Sequence, residues 1–530
     1  MDERIMNRDR MIEQLQAAEK PWDVVIIGGG ATGLGCAVDA ASRGYRTLLL
    51  ERNDFGSGTS SRSTKLIHGG VRYLRRGNLF LVAEALRERG ILMRNAPHLV
   101  SPIPFIIPAY RMWEKPYYGA GLLFYDALSG RNRIAATRFL SCEETIALAP
   151  TIAPSALRGS VLYHDAQFND ARLTIALART AADAGAVVIN YCRVTGILKR
   201  GSVTAGVHVE DVETGAQTEV GARCVINATG VFADDVRTLD DTTAQPMIRP
   251  SRGVHVVVDR RFLPGESAVL VPHTDDGRIL FLIPWMGRVL IGTTDTPVET
   301  ATADPVPSRD EIDYLIAHVR RYFIHAPEHS DILGAFAGLR PLIGSDSPGH
   351  DTAALSREHV ITVSNSAMVT VTGGKWTTYR KMAEDAVDQA AFIAGLQTVP
   401  SATHKMRIRG YDPDPGRHGR LALYGSDAPR IVELESRGNS GSLSGSPAVP
   451  SEGEVRWFVE SEMARSVEDV LSRRARTLFL DASGAVAATP GVARLMAELL
   501  GRDGDWVEDQ VSAFTALANR CLPLVDRPPL

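Results

Sequence analysis

A chain of 530 residues, 44% apolar and 23% charged, has the length for about two to three domains and the composition of an ordinary globular protein. A formal net charge of −4 lacks the bulk basic character that nucleic acid selects, so no nucleic-acid partner is expected. Five cysteines, scattered at Cys36, Cys142, Cys192, Cys224 and Cys521 without a CxxC pair, argue against a disulfide framework or a metal site and suit a reducing cytoplasm.

Residues 1–20 are polar and read as a short amphipathic helix, with Ile5, Met11, Ile12 and Leu15 roughly on one face. They lack the apolar core of a signal peptide, and no run of about 20 apolar residues predicts a bilayer-spanning helix, which leaves surface attachment open. Residues 23–54 have a strand–helix–strand pattern, and 53–78 form a long loop rich in Gly, Ser, Arg and Lys. A helix is predicted over 79–94. Residues 101–133 mix Pro102, Pro104, Pro108 and Pro116 with seven aromatic residues, and the prolines bar one continuous helix. These aromatics, with Lys115, Arg131 and Arg133 nearby, suit either a lipid surface or the core of a substrate domain. A helix over 171–185 leads to a strand over 186–194, and 203–212 with 217–225 predict a hairpin. Further strands are expected at 253–259, 278–283 and 289–292, and helices at 310–323 and 377–395. After a Ser/Gly/Pro-rich loop at 436–452, residues 454–479 and 492–520 predict a small helical domain.

The most informative local pattern begins at Trp22. An apolar run to Ile27 enters Gly28-Gly29-Gly30-Ala31-Thr32-Gly33, a GxGxxG. In such a loop the first glycine allows the tight turn, the second lets main-chain N–H groups approach a pyrophosphate, and the third lets helix and sheet pack closely. The following helix N-terminus favours the anion. The second strand ends at Glu51, with Arg52 next, where a carboxylate can accept from a ribose hydroxyl. The fivefold order of strand, loop, helix, strand and acid predicts a bound dinucleotide. A second strand runs from Cys224 to Asn227 into the small-residue turn Ala228-Thr229-Gly230; two such elements serving one ligand favour FAD over NAD.

Beyond that unit, Ser60-Ser61-Arg62-Ser63-Thr64-Lys65-Leu66-Ile67-His68-Gly69-Gly70-Val71-Arg72-Tyr73-Leu74 closely resembles the signature of the FAD-dependent, respiratory-type glycerol-3-phosphate dehydrogenases. The segments Ile291 to Thr296, Ala337 to Leu342 and Thr372 to Arg380 are similar to further motifs of that family in the same order, and 462–474 to its helical cap. Departures are modest: Thr64 for Ser, Val71 for Leu, and Phe232 where Trp is common. No DxDxDG-type loop is present, so calcium control is not expected.

The resemblance implies an α/β architecture: an FAD-binding Rossmann-like domain of the glutathione-reductase/D-amino-acid-oxidase type, an antiparallel-sheet substrate domain and a C-terminal helical cap. The expected boundaries are an N-terminal arm (1–20), an FAD domain in three parts (21–95, 156–245, 336–398), a substrate region in two (96–155, 246–335) and the helical domain (399–530). It implies oxidation of sn-glycerol 3-phosphate to dihydroxyacetone phosphate by noncovalent FAD, with a membrane quinone as acceptor. The expected location is cytoplasmic, peripheral on the inner face of the cell membrane, and a homodimer is among the assemblies left open.

Such a site needs cations for a phosphate, a base near C2 and a donor near the flavin pyrimidine. Arg340 is the first choice for the phosphate, because a guanidinium binds phosphate bidentately. Arg72 with Tyr73 is the second candidate and Arg357 a weaker third. Lys375 follows two glycines and precedes a helix, so it suits flavin or substrate. His255 is the candidate base, its ordinary pKa lying near working pH; the bland alternative is a core histidine. Cofactor contacts are expected from Gly28, Gly30, Ala31, Thr32, Gly33, Glu51, Arg52, Thr59, Ser60, Ser61, Lys65, Leu66, His68, Gly69 and Gly70. Val194, Ala228, Thr229, Gly230, Gly374, Lys375, Thr377 and Thr378 complete that set. The rival functions are a glycerophosphate oxidase using O₂, an amino-acid or amine oxidase of the wider fold, and a non-catalytic flavin-binding module.

Overall fold

The computed structural model describes residues 6–74, 77–344, 358–437, 443, 446 and 448–522, without the Arg72 side chain. Two sheets organise them. The first has the strand order His359–Val363, Val369–Gly373, Gln217–Asn227, Trp22–Ile27, Thr47–Leu50, Val187–Ile189. Trp22–Ile27 pairs in parallel with a strand on each side. Buried on both faces from Val24 onward, it is apolar there, and its alternate residues serve different cores. Val24 and Ile26 pack under the helices Ala31–Ser42, Asp170–Asp183 and Tyr379–Ile393. Val25 and Ile27 pack on the other face with Leu48, Val207 and Val225. Each such side chain contributes about 1.5–3 kcal/mol by leaving water.

The second sheet is mixed and mostly antiparallel. Its longest pairing joins Ile248–Asp259 to Ile332–Ile343, in register from Ile248 opposite Ile343 to Val257 opposite Gly334. Arg288–Gly292 lies on the other side of Ile248–Asp259, followed by Leu280–Trp285, Ala268–Val271, Val100–Pro108 and Ser160–Phe168. The helices Ala428–Ser436, Glu452–Glu462, Ala482–Leu500 and Gly504–Cys521 form the C-terminal layer.

That layer is joined to the first sheet by buried charge. Glu462 receives two parallel hydrogen bonds from Arg172, at 2.6 and 2.8 Å. Asp54, just after the second strand, receives Arg473 Nε and Arg474 Nη1, both at 2.6 Å. Removing one partner of such a pair costs about 3–5 kcal/mol, because the other charge is left buried alone.

Several elements differ from the sequence expectation. The single strand over 186–194 is two, Val187–Ile189 and Cys192–Arg200, broken where Tyr191 takes φ +51°. Within the helical stretch 492–520 lie the end of Ala482–Leu500 and most of Gly504–Cys521, separated where Gly501 ends the first in a left-handed cap. The proline-rich stretch 101–133 divides into the strand Val100–Pro108 and the helix Glu114–Ser129. Three strands cross the boundaries drawn from sequence: Leu66–Ile67, Ser160–Phe168 and most of Ile332–Ile343 lie in segments assigned to the FAD domain but pair in the second sheet.

Candidate functional site

Two adjoining cavities, about 450 and 260 Å³, open where the two sheets meet. Thr59, Pro341, Gly373, Gly374, Lys375 and Trp376 line both.

The larger one lies over the carboxyl ends of the parallel strands. Its floor is main chain. Gly28 has φ +108°, and a Cβ there would stand 2.8 Å from the Ala228 carbonyl oxygen. A Cβ on Gly33 would overlap the Gly28 carbonyl oxygen, so this glycine is needed for helix packing rather than ligand contact. The helix Ala31–Ser42 points its N-terminus into the cleft with no side-chain cap on Gly30. Ala31 N–H donates to Ser60 Oγ at 2.9 Å. Glu51 accepts from the N–H groups of Gly29 (2.6 Å) and Asn53 (2.9 Å), and burial raises its pKa. Asn227 accepts from the hydroxyl (2.7 Å) and N–H (3.3 Å) of Thr229, which fixes the turn through Gly230. Arg52 lies 4.1 Å over the Phe232 ring, so Phe retains the flat surface that a Trp would give. A helix N-terminus, a glycine turn and a strand-end carboxylate fit a dinucleotide: pyrophosphate on the N–H groups, ribose on Glu51.

The smaller cavity is walled by side chains. His255 is buried and stacks on Phe336 with 5.0 Å between ring centroids. Its Nε2 is 3.0 Å from Thr64 Oγ1, and Nδ1 has no hydrogen-bond partner among the described residues. Burial, then the cations Lys65 and Arg340, hold its pKa well below the ordinary 6.5, so the ring is neutral near pH 7. Arg340, on Ile332–Ile343, approaches Asp295 Oδ1 (3.2 Å), Thr293 Oγ1 (3.1 Å) and the Thr294 carbonyl (3.0 Å). Lys375 Nζ stands 4.4 Å over the Tyr73 ring. Thr377 ties the two sides together: its Oγ1 accepts from His68 N–H (3.1 Å) and donates to the His68 carbonyl (3.2 Å).

Of the residues expected at the cofactor, Gly28, Gly30, Ala31, Thr32, Glu51, Arg52, Thr59 and Ser60 line the larger cavity. So do Val194, Ala228, Thr229, Gly230, Gly374 and Lys375. Leu66, His68, Gly70 and Thr377 line the smaller one instead, with Tyr73, His255 and Arg340. Ser61, Lys65, Gly69 and Thr378 line neither. Lys65 is fully buried, 2.5 Å from Asp170, because a positive φ of +63° turns it under the loop. Burial pushes its ammonium down to about 7 against the pull of Asp170. Ser61 offers its carbonyl to Lys65 and Arg476, Gly69 N–H donates to the Tyr125 hydroxyl, and Thr378 donates to the Lys375 carbonyl. The Arg72 side chain and all of Arg357 lie outside the described residues.

Sequence reasoning missed Arg193, Glu468 and Arg473 in the larger cavity and Thr64, Arg278, Thr293 and Asp295 in the smaller. The segment Ile291 to Thr296 was noted as a motif, and that was the available signal for Thr293 and Asp295. Glu468 and Arg473 lie in the cap-like segment 462–474, but nothing local shows that Arg473 reaches the larger cavity from the C-terminal layer.

Residues 23–380 match the family model described as FAD dependent oxidoreductase, and 365–507 that of the C-terminal domain of alpha-glycerophosphate oxidase. The mitochondrial glycerol-3-phosphate dehydrogenase of Homo sapiens is 40% identical over 536 residues, spanning 94% of this chain and 73% of that protein. The mitochondrial enzyme of that name from Schizosaccharomyces pombe is 37% identical, spanning 94% and 87%. The structure of the glycerol-3-phosphate dehydrogenase from Bacillus halodurans complexed with FAD superposes with a TM-score of 0.79 at 29% identity, covering 98% of this chain and 99% of that one. With FAD as its cofactor, the chain belongs to the family of FAD-dependent glycerol-3-phosphate dehydrogenases.

Proposed function

We propose that the protein oxidises sn-glycerol 3-phosphate to dihydroxyacetone phosphate and passes the electrons to a membrane quinone. The observation that carries this reading is the shared wall at Gly373 to Trp376, with a dinucleotide cleft on one side and a neutral buried histidine among cations on the other. FAD, when bound, supplies the hydride acceptor.

The chain's own residues do the rest. Arg340 binds the phosphate, in a geometry fixed by Asp295 and Thr293 before substrate arrives. His255 takes the proton of the C2 hydroxyl. Its Nε2 shares a hydrogen bond with Thr64 Oγ1 and its Nδ1 has no partner among the described residues, so the neutral ring keeps one nitrogen lone pair to accept that proton. The low pKa keeps the ring in its accepting form near pH 7, while the burial and the cations Lys65 and Arg340 that lower it also make it a weaker base. Lys375, common to both cavities, stabilises negative charge at their junction. Arg72 and Tyr73 are assigned to substrate as well, Tyr73 through the wall it shares with Lys375.

The quinone reading is supported by an apolar surface. Met112, Trp113, Tyr117, Leu123 and Phe124 are 46–84% exposed along or just before the helix Glu114–Ser129, on one broad face. Arg131, Arg133 and Arg138 are exposed beyond its end, where they suit lipid headgroups. Among the described residues no helix is long and apolar enough to cross a membrane. We assign this surface to peripheral contact with the bilayer.

Anaerobic mixing of the flavin-loaded protein with glycerol 3-phosphate tests the reaction. Bleaching of the flavin band at about 450 nm is expected; an unbleached band overturns the assignment. The C-terminal match to an oxidase family keeps O₂ as the second acceptor in view. Stoichiometric peroxide, with no stimulation by a quinone analogue, favours the oxidase.

A further inference from the structure

Three described arginines line the substrate-side cavity: Arg340, Arg62, which pairs with Asp304 at 2.6 Å, and Arg278. Arg278 lies between a surface turn and the strand Leu280–Trp285, its side chain 19% exposed, and it lines the same cavity as Arg340. One residue holds both Arg278 and Arg340. Asp295 is buried, with its side chain 4% exposed. Its carboxylate Oδ1 stands 3.2 Å from Arg340 Nη1, while its main-chain carbonyl accepts from Arg278 Nη1. Arg278 Nη1 also lies 3.9 Å from Asp295 Oδ2.

The rest of the surroundings fix Asp295 in turn. The Ser251 hydroxyl donates to the Asp295 carboxylate, and Ser251 is the register partner of Arg340 across the two long strands. Gly253, two residues on, leaves room for the guanidinium: a Cβ there would collide with Arg340 Nη2. On the solvent side, Asp276 Oδ2 stands 3.3 Å from Arg278 Nε. An ordinary surface arginine would satisfy itself with Asp276 and water. Arg278 instead turns a terminal nitrogen inward to the main chain of a buried aspartate.

We infer that Arg278 is a second ligand for the substrate's phosphate, and that Asp295 is a positioning residue holding Arg278 and Arg340 at a set separation. This rests on the glycerol 3-phosphate reading above. A phosphate dianion has more acceptor lone pairs than one planar fork can use, and two forks held in advance lose less freedom on binding than two mobile side chains. Neither residue moves a proton or a hydride, so their contribution is to affinity.

The flavin-loaded Arg278→Gln variant tests this. KM for glycerol 3-phosphate should rise at least about 10-fold, with the rate of flavin reduction at saturating substrate within about twofold of the parent. Inorganic phosphate, followed by its perturbation of the bound-flavin spectrum, should lose affinity by a similar factor, a readout that needs no turnover. Arg278→Lys should recover part of both losses. Asp295→Asn, which keeps the shape and one acceptor oxygen but removes the charge, should weaken phosphate and substrate together. KM and phosphate affinity within about twofold of the parent in Arg278→Gln overturn the inference. If that variant fails to retain flavin, the same two measurements on Arg278→Met decide, and parental values there overturn it. Failure of the parent protein to be reduced by glycerol 3-phosphate is a different result, and counts against the proposed function instead.

Discussion

Around Gly28 the cofactor cleft presents main chain: a turn, a helix N-terminus and the Ala228 carbonyl, which excludes a Cβ. Across Lys375, the neighbouring cavity presents side chains, with His255, Arg278 and Arg340 projecting from strands of one mixed sheet or its edge. On the reading proposed above both bind phosphate groups, by different means. The cleft uses partial charges fixed by secondary structure, which cannot be removed without unfolding the loop. The cavity uses full charges on side chains held by other side chains, so each can be altered singly. The first arrangement suits a resident cofactor. The second suits a substrate that must enter and leave.

That contrast can be broken at a graded series of points. The largest effect is expected from Gly33→Val, whose side chain would drive into the Gly28 carbonyl. Little or no flavin should copurify, as measured by absorbance after denaturation; a normal flavin content would show that the cleft tolerates rearrangement. Arg340→Ala should raise KM by about 10²-fold, equivalent to about 3 kcal/mol, with flavin content intact. An unchanged KM would remove Arg340 from the phosphate. His255→Ala should slow flavin reduction by about 10²-fold. In the parent protein the acid limb of kcat/KM should fall below pH 6.5, because burial and the two cations lower the pKa and only the neutral ring accepts a proton. A limb above pH 6.5 would transfer the role of base elsewhere. The smallest effect is expected far from both cavities. Trp113→Ser with Phe124→Ser should reduce cosedimentation with anionic lipid vesicles by about 10-fold, while reduction of the flavin by glycerol 3-phosphate is retained. Parental vesicle binding would dissociate this helix from the bilayer.

The same contrast explains what could be read from sequence. The glycine loop is legible because its function is local: turn, helix start and acid sit within 30 residues of one another, from Trp22 to Glu51. The smaller cavity is less so. Arg278 and Asp295 are 17 residues apart with a β-hairpin between them, and only the pairing of the long strands brings Arg340 to both. Lys65 shows the opposite failure. It stands inside a legible motif, and its neighbours Ser60 and Thr59 line the cofactor cleft. A left-handed residue at that position sends its side chain down to Asp170, where it supports the loop from below. A motif identifies a segment, but backbone conformation decides which of its side chains meet the ligand. Arg473 illustrates the limit, since its place beside the cleft depends on docking of a helical layer to Asp54.

The distribution of the cleft along the chain has a consequence for biosynthesis. Gly28 leaves the ribosome early, but the strand beside its own, Gln217–Asn227, follows much later, and Lys375 and Arg473 later still. At roughly 5–20 residues per second, the roughly 450 residues from Gly28 to Arg473 take on the order of 20–90 s to make. The strand Trp22–Ile27 has no complete sheet until Val369–Gly373 is made, and the nascent chain has no complete cofactor cleft until Arg473. Completion of the cleft is therefore a late event in the life of each molecule, and FAD can add its binding energy only after most of the chain has been made.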